Sequence, residues 1–203
     1  MTTIQNAVQL VAIAFVCSVV INKILFAKWF VSQFKHRIGI LICGLIFLSV
    51  RIDGASLAMC VRGLTGDISI TSLVLICSMV VSEMTNINVK YKVSILHLTV
   101  MVVIGGLLYL TTFGIIPFDL CYFGYDYIYI ATLLFLYAVF NLNKSVISAV
   151  VAIAIMVAFQ FNLLGSRNLF DYLIDLPLWL VCSWFFVKRL SVKKQMINIE
   201  NND

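Results

Sequence analysis

Charge is what this chain lacks most. Only 11% of its 203 residues are Asp, Glu, Lys or Arg, against 63% hydrophobic, whereas soluble domains carry about a quarter charged residues. A surface that poor in charge cannot face water all round, which excludes an ordinary soluble globular domain. Histidine is nearly missing: His36 and His97 are the only two. The six cysteines contain no Cys-x-x-Cys pair, so a zinc site is not expected and no metal site is assigned to cysteine or histidine. Four of those cysteines, Cys17, Cys43, Cys77 and Cys182, sit inside apolar runs, where a thiol behaves as a small hydrophobe. There is no Pro- or Ser-rich linker and no internal repeat, so residues 1–203 read as one transmembrane domain with a short tail over 189–203. Met1 to Asn6 has no basic residue and no small-x-small cleavage site follows, so the first apolar run reads as a retained span.

What is present is a series of apolar runs, and mean hydropathy reaches +1.08. A helix needs about 20 apolar residues to cross roughly 30 Å of hydrocarbon. The runs fall at 7–30, 38–52, 68–82, 93–117, 127–141, 145–163 and 169–188. The expected fold is therefore an all-α integral membrane bundle of about seven transmembrane helices. Charge orients it. With seven spans, eleven of the fourteen cationic residues, including every lysine, fall on one side, and six of the nine acids fall on the other. The positive-inside rule puts the basic side in the cytoplasm. The expectation is a multi-pass protein of the cell inner (plasma) membrane, N-terminus outside and C-terminus inside. That partition accounts for the net charge of +5 without a nucleic-acid partner. The Asn143-Lys144-Ser145 glycosylation acceptor faces inward on this reading.

The acidic side carries charge at unusual depth. Arg37 to Arg51, Asp67 to Glu83 and Asp175 to Lys188 are separated by 14, 16 and 13 residues, or about 20–24 Å of helix, short of the roughly 30 Å hydrocarbon core. Three coincident cases point to a water-accessible recess opening outward. Asn168 with Asp171 resembles a capping pair, and a helix from there would bring Arg167, Asp171 and Asp175 near one face at intervals of four, kinked by Pro177. The stretch 53–66, with Gly54, Gly63 and Gly66, is apolar enough in its middle to form a re-entrant loop; Asp67 or Ser69 would cap the following span. Arg51 could pair with Asp53 or Asp175, and Arg62 with Asp171. An unpaired charge at that depth costs on the order of 3 kcal/mol, so an arginine is expected within reach of Asp175. Gly105-Gly106 suits close helix packing. Cys60 and Cys121, both in outer loops, are candidates to pair in an oxidising compartment.

Function is less constrained. A Gly-x-Ser-x-Gly elbow, His-Glu-x-x-His and a Gly-rich loop ending Gly-Lys-Ser/Thr are all absent, as is a mid-membrane lysine in the last span. The cofactor is left unknown, and the chain could be an enzyme, a transporter or neither. The leading expectation is a recess that binds or transfers an anionic or lipid-linked envelope molecule. Arg51, Arg62, Arg167 and Asn168 would hold it, since arginine suits bidentate recognition of phosphate or carboxylate. Asp53, Asp67, Asp171 and Asp175 would orient the arginines, bind a metal or act as base. The alternatives are an immunity, exclusion or accessory subunit docking another membrane protein, and a small transporter with an acidic coupling site. The bilayer is the partner common to all three.

Overall fold

The computed structural model describes residues 3–26, 33–85, 95–141 and 146–200. Within them the chain is overwhelmingly helical: α1 (Thr3–Phe26), α2 (Gln33–Ser49), α3 (Leu57–Thr65), α4 (Ile70–Thr85), α5 (Ile95–Thr112), α6 (Tyr122–Tyr125), α7 (Tyr127–Asn141), α8 (Val146–Gln160), α9 (Phe170–Leu173) and α10 (Leu176–Glu200). A two-residue hairpin, β1 (Arg51–Ile52) and β2 (Ala55–Ser56), interrupts them. The fold is all-α, and each apolar run read from the sequence holds one of the seven long helices. By length and composition, one stretch, Thr3–Ile21 of α1, is long and apolar enough to cross a membrane; the other apolar segments, such as Gly39–Ser49 and Val146–Gln160, are shorter. The fifteen residues of α8 extend only about 23 Å.

Packing pairs α1 with α2, α7 with α8 and α5 with α10, and α4 lies against α1, α8 and α9. The interior mixes large apolar side chains, among them Ile13, Ile155, Leu164, Leu169 and Tyr172, with small and polar ones. Gln9, Ser18 and Ser69 are wholly buried, Thr71 and Ser72 nearly so, and α8 turns Ala149, Ala152, Ile155 and Ala158 inward. The outside is large and apolar: on α7 alone Ile128, Leu133, Phe135 and Phe140 are more than half exposed. Small inward faces let backbones approach. Gly105 shows this on α5, where an added Cβ would lie 2.4 Å from the Trp179 ring and 2.6 Å from Ile174. The Trp179 ring lies over that glycine, donates its Nε1–H to the Val102 carbonyl at 3.1 Å and packs at a 56° tilt against Tyr109 with centroids 5.2 Å apart. The close approach expected of Gly105-Gly106 is present.

Segment 53–66 is a hairpin and a helix rather than a loop. Asp53 (φ 49°) and Gly54 (φ 84°) both take left-handed conformations, as the two central residues of a type I′ turn must. Arg51 then pairs with Ser56 and Ile52 with Ala55. Ser56 caps α3, its side chain accepting from the Met59 N–H. Gly66 (φ 77°) ends α3, its N–H returning to the Arg62 carbonyl at 2.9 Å, a left-handed stop that glycine adopts without a Cβ penalty.

The basic residues Lys28, Lys90, Lys92 and Lys144, and Asn143-Lys144-Ser145 as a whole, lie outside the described residues. So do the side chains of Lys23, Lys35, His36, Arg37, Glu83, His97, Lys193 and Lys194.

Candidate functional site

The connections following α3, α5, α8 and α9 are tied to one another or to α1 at one end of the bundle. Gln5 on α1 donates to the Asn162 carbonyl at 2.8 Å, and Gln9 accepts from the Ile68 N–H at 3.2 Å. Asn168 donates to the Cys121 carbonyl at 3.1 Å, while its Oδ1 accepts from the Phe170 N–H at 3.0 Å. Asn168 is 5% exposed and fills the space above Gly124, where a Cβ would stand 1.8 Å from its Oδ1. Its side chain is thus committed to clasping two connections together. Tyr172, fully buried, accepts from the Leu164 N–H and donates to the Ser166 carbonyl at 3.1 Å, with Asn162 beside it at 3.4 Å. These bonds fix the path of 160–175, and with it the cavity that this segment closes.

That cavity has a volume of about 410 Å³ and is lined from four places: Thr65 at the end of α3 with Asp67 just beyond it, Tyr109 near the end of α5, Ser166 and Asp171 around α9, and Asp175 before α10. Three of the four aspartates picked out by sequence therefore converge. The fourth, Asp53, sits at the tip of the hairpin turn, exposed. Of the arginines, Arg51 and Arg167 are exposed and do not line the cavity. Arg62 is engaged just behind it: its Nε lies 2.6 Å from Asp67 Oδ1, and its Nη1 donates to Asn6 Oδ1 at 3.0 Å. The ion pair is thus Arg62–Asp67, not Arg62–Asp171.

Asp175 departs furthest from expectation. It is 5% exposed, yet the described residues place no arginine at its carboxylate. Two backbone amides meet it instead. Oδ2 accepts from the Ser69 N–H at 2.8 Å and Oδ1 from the Leu178 N–H at 2.7 Å. Ser69 is the residue before α4, and its own hydroxyl accepts from Ser72 N–H at 3.2 Å. Asp175 is the residue before α10 and caps its third amide. Of the two residues expected to cap α4, Ser69 does so and Asp67 does not. A carboxylate between two helix N-termini meets partial positive charge from both, and charge-assisted bonds to N–H groups are among the stronger hydrogen bonds. The charge is compensated without a cation.

The helix expected to run from 168 through 175 is broken. α9 is a single turn, Ile174 is extended (φ −141°, ψ 136°), and α10 begins afresh at Leu176. Asp171 and Asp175 thus reach the cavity from separate elements, not from one helical face. Pro177 falls in the first turn of α10, where its missing N–H breaks no helical bond, so it introduces no kink.

Asp171 is the freest of the three acids. It is exposed to the cavity mouth, and Ser166 Oγ donates to its Oδ2 at 2.5 Å. Surrounding protein still strips part of its solvent. That desolvation raises its pKa above the ordinary 3.8, the Ser166 hydroxyl opposing and the nearby Asp67 charge assisting.

Cys60 and Cys121 are both free thiols. Cys60 lies on the exposed side of α3, whereas Cys121 turns its sulfur to the hydroxyls of Thr111 and Thr112 at 3.9 and 3.7 Å. Tyr109, Ser166 and Thr65 were not among the sequence candidates. The one available signal was Tyr109, a phenol near the outer end of an otherwise aliphatic run. No family model, curated protein or solved structure matches the chain.

Proposed function

We propose that this chain is a multi-pass membrane protein of seven spans, N-terminus outside and C-terminus in the cytoplasm, whose outer recess takes the polar head of a lipid-linked envelope molecule. The membrane reading rests on the large apolar exterior, with Leu133, Phe135 and Phe140 of α7 more than half exposed, and on serines, a glutamine and alanines that share the interior with isoleucines and leucines, an arrangement suited to lipid rather than water. Helices shorter than the hydrocarbon core are accommodated by local thinning of the bilayer, all the more so where several of them surround a polar recess.

The observation that carries the ligand reading is the convergence of Asp67, Asp171 and Asp175 on one cavity beside Tyr109 and Ser166. Three carboxylates stand there against the single guanidinium of Arg62 among the described residues, an excess of acceptors over donors. Such a lining favours donors, namely hydroxyls of a glycan-like head or an ammonium group, over the phosphate or carboxylate that Arg51 and Arg167 would have bound. Asp171 is the residue best placed to accept from a ligand, because among the described residues its carboxylate meets only the Ser166 hydroxyl. Thr65 and Ser166 add hydroxyls that can exchange partners.

The test is native mass spectrometry of molecules retained after mild extraction, comparing wild type with Asp171→Asn. The expected result is a discrete non-bulk amphiphile in the wild type that is lost from a variant whose melting temperature is not lowered. Identical retention in both overturns the proposal. A copurifying protein instead of a lipid moves the assignment to an accessory subunit, and ion-coupled uptake into vesicles moves it to a transporter.

A further inference from the structure

Helix α3 is inside out. Its exposed face consists of Met59, Cys60, Gly63 and Leu64, with Met59 49% and Leu64 83% exposed. Its inward face carries Ala58, wholly buried, with Val61, Arg62 and Thr65. The one charge on the helix points toward the protein, held by Asp67 and Asn6. The one hydroxyl turns back onto its own backbone, Thr65 donating to the Val61 carbonyl at 3.0 Å. A nine-residue helix lying on the water-facing surface of a protein would show the opposite arrangement, since charge belongs on the wet side and apolar groups on the packed side. Leu64 is also part of the cavity lining, so the same side chain belongs to the exposed apolar face and to the rim of the recess.

We infer that α3 lies in the outer leaflet with Met59, Cys60, Gly63 and Leu64 against lipid acyl chains, making the recess a lateral pocket bordered by lipid at Leu64. This rests on the membrane reading above and deepens it by naming the substrate class. The molecule is an outer-leaflet amphiphile whose tail stays among the lipids beside α3 while its hydroxyl or ammonium head reaches the carboxylates behind Leu64. The outward face of α3 continues the apolar exterior that α1 and α2 present through Val8, Val11, Leu41 and Leu45, and α3 packs on both of those helices. Acyl chains are the occupant because nothing on that face offers a charge or a hydrogen bond to a protein partner.

The experiment places a fluorophore on Cys60, with the other five cysteines replaced by alanine, and a second one on Leu64→Cys in a Cys60→Ala version of the same background. The protein is reconstituted in phosphatidylcholine vesicles. Quenching by lipids doxyl-labelled near the head of the acyl chain is compared with quenching by aqueous iodide. Asp53→Cys at the hairpin tip and Leu133→Cys on α7 serve as wet and lipid references. The expected result is strong doxyl and weak iodide quenching at Cys60 and at Leu64→Cys. Iodide quenching at Cys60 equal to that at Asp53→Cys, with Leu133→Cys still lipid-quenched, overturns the α3 inference and leaves the membrane reading intact. Iodide quenching at Leu133→Cys sinks the membrane reading itself. Shielding of Cys60 from both quenchers means protein covers the face, which also overturns the inference. Hydroxyl-radical footprinting of the unmodified protein in the same vesicles gives an independent readout free of the cysteine replacements. Met59 should be spared while exposed Tyr122 is oxidised, and equal oxidation of the two overturns the inference.

Discussion

Removing the Asp175 carboxylate should loosen the junction between α4 and α10 more than any other single change at the recess. Asp175→Ala deletes the cap on the Leu178 amide, a loss of about 1 kcal/mol. It also leaves the Ser69 N–H, in a residue with no exposed surface, without an acceptor, at about 1–3 kcal/mol. Together these come to roughly 2–4 kcal/mol. At about 2–4 °C per kcal/mol for a chain of this size, the melting midpoint should fall by something like 5–15 °C. Asp175→Asn separates the two ways of compensating a buried charge. Its amide oxygen can still serve one N–H, while its NH₂ opposes the other, so it should lose about half as much as alanine. An ionic partner predicts instead that asparagine is as damaging as alanine, because both abolish the charge. The assay is thermal unfolding in detergent micelles followed by the monodisperse fraction on gel filtration. An unchanged midpoint for Asp175→Ala refutes the two-helix cap, and equal loss for Asn and Ala refutes the amide account in favour of a cation.

Gly105→Ala should lower the midpoint as well, because the new methyl meets Trp179 and Ile174 well inside contact distance and overpacking of this kind costs about 1–3 kcal/mol; the same assay checks it, and Trp179→Phe should partly restore the loss. Asp171 sets a pH dependence. Its folded pKa is raised above the unfolded value, so its destabilising contribution is complete above the folded pKa and fades as pH falls toward the ordinary carboxylate value. The wild type should therefore gain stability relative to the non-titrating Asp171→Asn on acidification, and a difference independent of pH goes against this. For orientation, reporter fusions after Leu142 and after Lys194 should both report the cytoplasm, and an external signal at Lys194 removes the seven-span arrangement.

Much of the helical layout was legible because hydrophobic runs of helical length have one economical solution. The ends were less so. The run read as 93–117 yields a helix that stops at Thr112, where Gly114 (φ 70°) turns the chain back, and a left-handed glycine inside an apolar stretch is easy to pass over. Asp53-Gly54 carried the signature of a two-residue hairpin but sat in a stretch whose hydropathy suggested re-entry. At the site, the acids were legible as a set because charge near apolar runs is conspicuous. Their partners were not. Asp67 finds its arginine five residues away, a separation that depends on the turn at Gly66. Asp175 finds Ser69, which is 106 residues distant, and no spacing in the sequence announces that pair.

The deeper reason for the missed pairing lies in what a buried carboxylate requires. Opposite charge is the familiar partner, and the sequence supplied three arginines on the same side, so an ion pair was the natural expectation. Yet a helix N-terminus leaves four amides unsatisfied, and two such termini meeting at one point create a demand for an acceptor as strong as the acid's demand for donors. Asp175 answers both α4 and α10 at once. Arg51 and Arg167 are consequently left at the exposed rim, and the lining around Tyr109 keeps an excess of carboxylate. A ligand that bound through arginines would approach from the hairpin or the loop before α9, outside the cavity. One that bound through hydroxyls or an amine would enter beside Leu64 and stop at Asp171. The second route leads into the half-open cavity, where burial of the head group adds to its hydrogen bonds, and on the proposed function this is why Asp171 rather than any arginine is the residue whose replacement should change what is bound.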